Sequence, residues 1–373
     1  MSILIAHSSL PNMDEALRDL AGQLKENQPR LVVYFASPLY PIDLLSKRMK
    51  EQFPGSQVMG CTTSGEIISG KMLDQSIVVM SIGNDILEDC AIALIEDVND
   101  AASVAGSVKQ LADYYKKPLM DLEFEQHGGI ILIDGLSCAE EKVMDQIGDL
   151  SNLLIVGASA GDDLKFEKTW VAANGKACSN AAVLAVFKSK RVFDVLKTQS
   201  FCPLKQVLTA TKVNEKTRTV LEFNNQPALD AYAASLGVSP DEASQRFMHN
   251  PVGLMVNNEP YVRSPQKNDG KNMVFYCNIL EGMEVAILES GDIVMDTQQA
   301  INKQIEKLGP IEGMINFNCI LRTLELKQQN QQDAYGSLFS AIPTIGFSTY
   351  GEEFMGHINQ TSTILVFHKK EIN

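Results

Sequence analysis

No two of the seven cysteines in this 373-residue chain stand in a Cys-x-x-Cys pair, and their number is odd. Neither a structural zinc site nor a disulfide framework is therefore expected. Basic residues are scarce: 32 Lys and Arg stand against 46 Asp and Glu, a formal net charge of −14. The long-range field repels a phosphate backbone, which excludes general nucleic-acid binding. No apolar run approaches the roughly 20 residues of a membrane-spanning helix, and the short apolar start "MSILIAHSS" has no basic segment before it, so it reads as a first β-strand. Gly-x-Gly-x-x-Gly, the P-loop pattern, Gly-x-Ser-x-Gly and His-Glu-x-x-His are all missing. No cofactor, no metal and no assigned catalytic residue are expected, and a cytoplasmic location is.

What the chain does contain is apolar material, 45% of its residues, enough for two domains. It also writes one small, hydroxyl-rich phrase three times: "GCTTSGE" at Gly60–Glu66, "GASAGDD" at Gly157–Asp163 and "GFSTYGE" at Gly346–Glu352. Each follows the same order of elements. "RLVVYFA", "GGIILIDGL" and "IEGMINFN" read as strands, and "PIDLLSKRMKEQFPG", "SCAEEKVMDQIGDL" and "CILRTLELKQQ" as helices. A short strand then leads into the phrase, and "SIVVMSI", "AAVLAVF" and "STILVFHK" close the units. From the first glycine, Ile77 lies 17 positions on and Ile364 18, whereas Val183 lies 26 positions beyond Gly157. The longer interval predicts an additional strand or a lid. Ser137, three residues before Glu140, predicts a helix cap.

Between the second and third units, "TRTVLEF", the Asn224-Asn225 turn and "QPALDAYAASLG" read as strand, turn and helix. "PVGLMV", "YVRSP", "MVFYCN" and "EVAILES" read as short antiparallel strands, and "TQQAINKQIEKLG" as a helix ending at Gly309. The fold class is α/β: two α/β domains with mixed sheets, residues 1–215 and 216–373, built from related strand-helix-strand-strand units.

The candidate site residues are polar groups of the phrases and of "NFNCILR". Gly60 lets the backbone turn or approach a ligand closely. Cys61, Thr62, Thr63, Ser64 and Glu66 surround it; Ser159, Asp162 and Asp163 are their counterparts in the second phrase, and Ser348, Thr349 and Glu352 in the third. These hydroxyls and acids can hold a ligand or satisfy their own loops. The pair Asp162-Asp163 lacks the spacing of a calcium loop. Asn318, Cys319 and Arg322 follow a strand, with Cys319 and Arg322 three apart and so on one face of the helix expected there. Arg322 can grip a carboxylate bidentately, and Arg263 is a second cation for that purpose.

The ordered segments "VMGCTTSGEI", "GASAGDD", "QPALDAYAASLG", "PVGL", "NFNCILR" and "GFSTYGEE…NQTSTILVF" resemble the FIST proteins over most of the chain. The N-terminal FIST domain resembles residues near 25 to 215, and the C-terminal one 216 to 360. The resemblance implies a sensory module that binds a small ligand such as an amino acid. It supplies no catalytic constellation, and no output segment is evident, so signalling requires a separate protein or a rearranged oligomer. The alternative function is a hydrolase or transferase using Cys319, Ser64 or the acid pair, and a further one is a purely structural or interaction module.

Overall fold

The computed structural model describes residues 3–24 and 29–372. They group into two compact units: Thr297–His357 and residues 362–372 join the N-terminal residues up to Thr198, while Gln199–Asp296 and Ile358–Thr361 form the other. The third repeat, most of which lies beyond the expected cut at 215/216, thus assembles with the first two.

The first unit is three repeats of one plan. Each begins with an edge strand, Ile3–Ser8, Leu87–Ile95 or Arg191–Thr198. A helix follows: Met13–Gln23, Ala101–Tyr115 and Ile293–Leu308, the last belonging to this unit from Thr297 onward. The central strands Pro29–Ala36, His127–Ile133 and Ile311–Cys319 come next, each leading to a helix, Ile42–Gln52, Glu140–Leu150 or Ile320–Gln328. The chain returns as a parallel strand ending in the repeated bend: Gln57–Thr62, Leu154–Ser159 or Thr344–Thr349. A short hairpin and a long antiparallel strand, Ile77–Gly83, Ala182–Ser189 or Ser362–Glu371, complete the repeat.

The hairpins do not stay with their own repeats. Glu66–Ile68 pairs with Thr344–Thr349 of the third, Val171–Ala173 with Gln57–Thr62 of the first, and Glu352–Phe354 with Leu154–Ser159 of the second. Every six-stranded sheet in this unit is therefore completed by the next repeat in a closed cycle. The longer interval of the second repeat holds the hairpin Val171–Ala173/Lys176–Cys178 after an extended bend.

The inner faces of the three sheets share one apolar core. Phe35 meets Phe347 with ring centroids 4.5 Å apart and Phe317 at 6.1 Å, while Phe187 meets Phe367 at 5.7 Å. The outer faces carry helices. Ala36, Tyr34, Ile77 and Val79 pack under Met13–Gln23 and Ile42–Gln52, and Ile131, Ile133, Ala182 and Leu184 under Ala101–Tyr115 and Glu140–Leu150.

The first glycine of each phrase serves this packing. An added Cβ would lie 2.5 Å from Tyr34 O at Gly60, 1.7 Å from Ile131 O at Gly157 and 2.1 Å from Asn316 O at Gly346. All three stand at the same parallel register, so close approach of two backbones, and not a turn, demands glycine. Gly157→Ala is expected to cost about 3 kcal/mol or more, because a backbone carbonyl cannot move aside. Gly148→Ala, on the exposed side of a helix with nothing within 4 Å, is expected to stabilise by up to about 1 kcal/mol. Denaturant melts of the two variants check the contrast.

Two local expectations change. Ser137 does not cap the helix Glu140–Leu150: Ala139 occupies the cap, and Ser137 Oγ donates to Asp134 O at 2.7 Å. Ser137 lies outside capping reach because the chain makes an extra turn, with Cys138 at φ +52°. The strand before "CILR" runs on through Cys319, so Cys319 stands at the helix cap and not on a helix face with Arg322.

The other unit contains an eight-stranded antiparallel sheet, with Val252–Val256, Glu259–Arg263, Asn272–Phe275 and Glu284–Ser290 at the four expected strand positions. Its helix Ala228–Leu236 ends on Gly237 at φ +68°. Gln360 is held within it by Ser264 Oγ at 2.7 Å and Met248 O at 2.9 Å.

Candidate functional site

The three repeated bends converge. Gly161 N donates to Thr62 O at 2.9 Å and Asp163 N to Thr63 O at 3.1 Å; Ser64 N donates to Ser348 O at 3.2 Å and Ser348 N to Gly65 O at 2.8 Å. Ser159 N donates to Gly351 O at 2.9 Å and Tyr350 N to Ser159 O at 3.3 Å, so each bend is joined to both others.

Most of their polar side chains are occupied in making this junction. Thr62 Oγ1 accepts from Trp170 N at 3.0 Å. Thr63 Oγ1 donates to Glu66 and, at the equivalent place, Thr349 Oγ1 donates to Glu352 at 2.6 Å. Asp162 accepts from the amides of Phe166, Glu167 and Lys168 at 2.7–3.0 Å and from the Tyr350 hydroxyl. Burial works against its ionisation, yet these donors hold its carboxyl below the usual range. Asp163 accepts from Ser37 Oγ at 3.0 Å, and burial pushes its carboxyl up. Cys61 points into the shared core, where burial raises its thiol well above the ordinary value. Ser64 Oγ faces the Tyr350 phenol and has no base beside it.

Glu66 accepts from Ser76 N at 3.0 Å and Ser76 Oγ at 2.6 Å, but burial outweighs these donors and pushes its pKa up to about 8. The folded protein thus holds this proton more tightly than the unfolded chain. The stability it contributes is fully present below the ordinary carboxylate range and is lost as pH rises towards 8. Glu66→Gln keeps the shape without the titration. It is expected to remove a loss of stability of roughly 3–4 kcal/mol between pH 5 and 8. Melting curves of both chains across that range test this.

A different polarity appears beside the junction, on the outer face of the third sheet. Register equates Asn318 with Ala36 and Ile133, Asn316 with Tyr34 and Ile131, and Ser362 with Ile77 and Ala182. Where two repeats bury mostly apolar side chains beneath their helices, the third buries amides and a hydroxyl. Ser362 Oγ donates to Asn316 Oδ1 at 2.7 Å, Asn316 Nδ2 to Tyr335 OH at 3.2 Å, and Tyr335 OH to Asn318 Oδ1 at 3.0 Å. Asn318 Nδ2 donates to Thr323 Oγ1 at 3.0 Å, which lies 2.8 Å from Ser348 Oγ.

Arg322 sits in this network at 1% exposure. Nε donates to Asn318 Oδ1 and Nη2 to Thr297 Oγ1, each at 3.0 Å, while Nη1 is buried without a partner. Among the described residues no carboxylate lies within ion-pair distance of it. The guanidinium also occupies the first turn of the helix Ile320–Gln328, which has no side-chain cap and no acidic residue in that turn. The positive end of a helix thus adds to an unneutralised cation. An isolated buried charge of this kind costs several kcal/mol, a cost an arriving anion removes.

The structure therefore brings together Asn318, Arg322 and Ser348, with buried Cys319 at the neighbouring helix cap. It assigns Thr62, Thr63, Glu66, Asp162, Thr349 and Glu352 to the frame. Arg263 lies in the other compact unit, where its Nη1 donates to Val262 O at 3.2 Å. Sequence reasoning missed Thr297, Asn316, Thr323, Tyr335 and Ser362. The sequence hid Asn316: it stands 30 positions before Gly346, whereas Tyr34 and Ile131 stand 26 before Gly60 and Gly157, so only the folded register sets "NFN" against "YFA" and "ILI".

Residues 30–226 match the FIST N domain model and residues 228–355 the FIST C domain model. Domains of this kind are associated with signal-transduction sensing. An uncharacterised protein of Methanocaldococcus jannaschii is 22% identical over 339 residues, an alignment covering 84% of this chain and 64% of that relative's length. Among the described residues no helix is long and apolar enough to cross a membrane, and none of the seven cysteines is in a disulfide.

Proposed function

We propose, since this chain belongs to the FIST family, that it is a cytoplasmic sensory protein whose ligand is a small carboxylate-bearing metabolite such as an amino acid, anchored by Arg322. The observation that carries this reading is the lone buried guanidinium, set in neutral hydrogen-bonding groups where both sister repeats are mostly apolar. One fixed positive charge matches one carboxylate, and Asn318, Thr323 and Ser348 supply neutral groups to orient the rest of the ligand. The frame residues of the three bends hold these groups in place. Seven cysteines without a disulfide among them suit a reducing compartment. A separate signalling protein would receive the output.

Thermal-shift screening of amino acids, keto acids and hydroxy acids against amine-only and neutral analogues tests the reading. Saturable stabilisation confined to carboxylates is expected. Stabilisation by the decarboxylated amines, or by no compound in a broad set, contradicts it.

A further inference from the structure

The cyclic exchange of hairpins supplies a comparison within the molecule. Each hairpin sets one residue opposite the first glycine of the bend it docks on: Ala172 opposite Gly60, Ile67 opposite Gly346 and Glu353 opposite Gly157. Two are apolar and fully buried; the third is a carboxylate with 0% exposure. Docking a hairpin does not require an acid there, as the other two demonstrate.

Glu353 is not alone. Its Oε1 lies 2.9 Å from His357 Nδ1 and 3.2 Å from Ser159 Oγ, and its Oε2 has no partner. Ser159 Oγ also lies 3.4 Å from Oε1 of Glu140, itself 3% exposed at the start of the helix Glu140–Leu150. A hydroxyl carries one proton and can donate to only one of these two carboxylates. The Glu353 carboxylate and a protonated His357 imidazole neutralise each other, and Glu140 beside them adds negative potential at His357. Glu141, on the same helix, adds negative potential at His357. The packing leaves little slack, since a Cβ at Gly351 would lie 2.1 Å from the His357 ring.

We propose that Glu140, Ser159, Glu353 and His357 form a proton-binding clasp that fastens the third repeat's hairpin to the second repeat's sheet when protonated and loosens it when protons leave. The electrostatics agree in sign. Burial opposes the His357 charge, but Glu353, Glu140 and Glu141 lift its pKa to about 9, and burial pushes the Glu353 carboxyl up. The fastened state therefore binds protons more tightly than the released one. Fastening is complete below the ordinary histidine range and is lost as pH rises through 9. Tyr350 and Gly351, just before this hairpin, make the backbone bonds to Ser159, so release loosens the junction of the second and third bends.

Hydrogen exchange on the full-length chain from pH 6.5 to 9.5, corrected for the intrinsic pH dependence of exchange, reads the clasp directly. Protection of the amides in Glu352–His357 is expected to fall at least tenfold across this range, while that of Val171–Cys178, whose hairpin carries Ala172, stays level. In Glu353→Gln, which preserves the shape but removes the carboxylate that holds the His357 proton, burial leaves the imidazole neutral and the 352–357 profile is expected to be flat. An equal response in both hairpins, a flat wild-type profile, or an unchanged slope in the variant overturns the proposal. Should the variant fail to fold, the comparison of the two hairpins in the wild-type chain still decides.

Discussion

A chain carrying Arg322→Met is expected to melt at a higher temperature than the wild type when no ligand is present, and to bind carboxylates at least about 100-fold more weakly. Methionine fills similar volume without a charge. Asn318 Oδ1 keeps the Tyr335 hydroxyl as donor, whereas Thr297 Oγ1 loses the Arg322 donor. Removing an uncompensated buried guanidinium is expected to contribute about 1–3 kcal/mol, read as a few degrees in the melting curve. A residue present for packing alone would give the opposite sign, a loss of stability on truncation. Differential scanning fluorimetry and ligand titration on the same preparation separate the two effects.

The second large expectation concerns the hairpin cycle. A fragment ending at residue 215 lacks the strand Thr344–Thr349, on which Glu66–Ile68 docks, and lacks Glu352–Phe354, which covers Leu154–Ser159. It also loses Ile315, Phe317, Ile345, Phe347, Leu365 and Phe367 from the shared core. Each of these is fully or almost fully buried, and burying a large apolar side chain is worth about 1.5–3 kcal/mol. Their joint loss, about 9–18 kcal/mol, is as large as the roughly 5–15 kcal/mol that holds an ordinary protein folded. The fragment alone is expected to show no cooperative thermal transition and poor amide dispersion in NMR. Co-expression with residues 216–373 is expected to restore both. A dispersed spectrum from the fragment alone would mean that the exchanged strands contribute little.

Much of the first unit was legible because its elements alternate strand and helix, with apolar runs for buried strands and helical spacing between them. The runs "RLVVYFA", "GGIILID" and "STILVFHK" read correctly since each buries almost every residue, whichever face it presents. The hairpin exchange was not legible. Strands of three residues such as Glu66–Ile68 carry too little pattern to specify a partner, and the strand it docks on lies more than 200 residues away. The same non-locality hid the site: Thr297, Arg322, Tyr335 and Ser362 come from four elements, and only the folded register shows that they meet. The bends drew attention for the opposite reason, since their Gly, Thr and Glu residues recur where backbones touch and carboxylates must be satisfied. Repetition there marks shared architecture, while the proposed site lies where one repeat departs from its sisters.

Titration calorimetry of the strongest carboxylate from the screen, against the wild type and Arg322→Met, examines the account's central claim most directly. The account predicts a saturable heat with one site per chain in the wild type and none in the variant, with the variant still folded by its melting curve. Equal affinity in the two chains would contradict it.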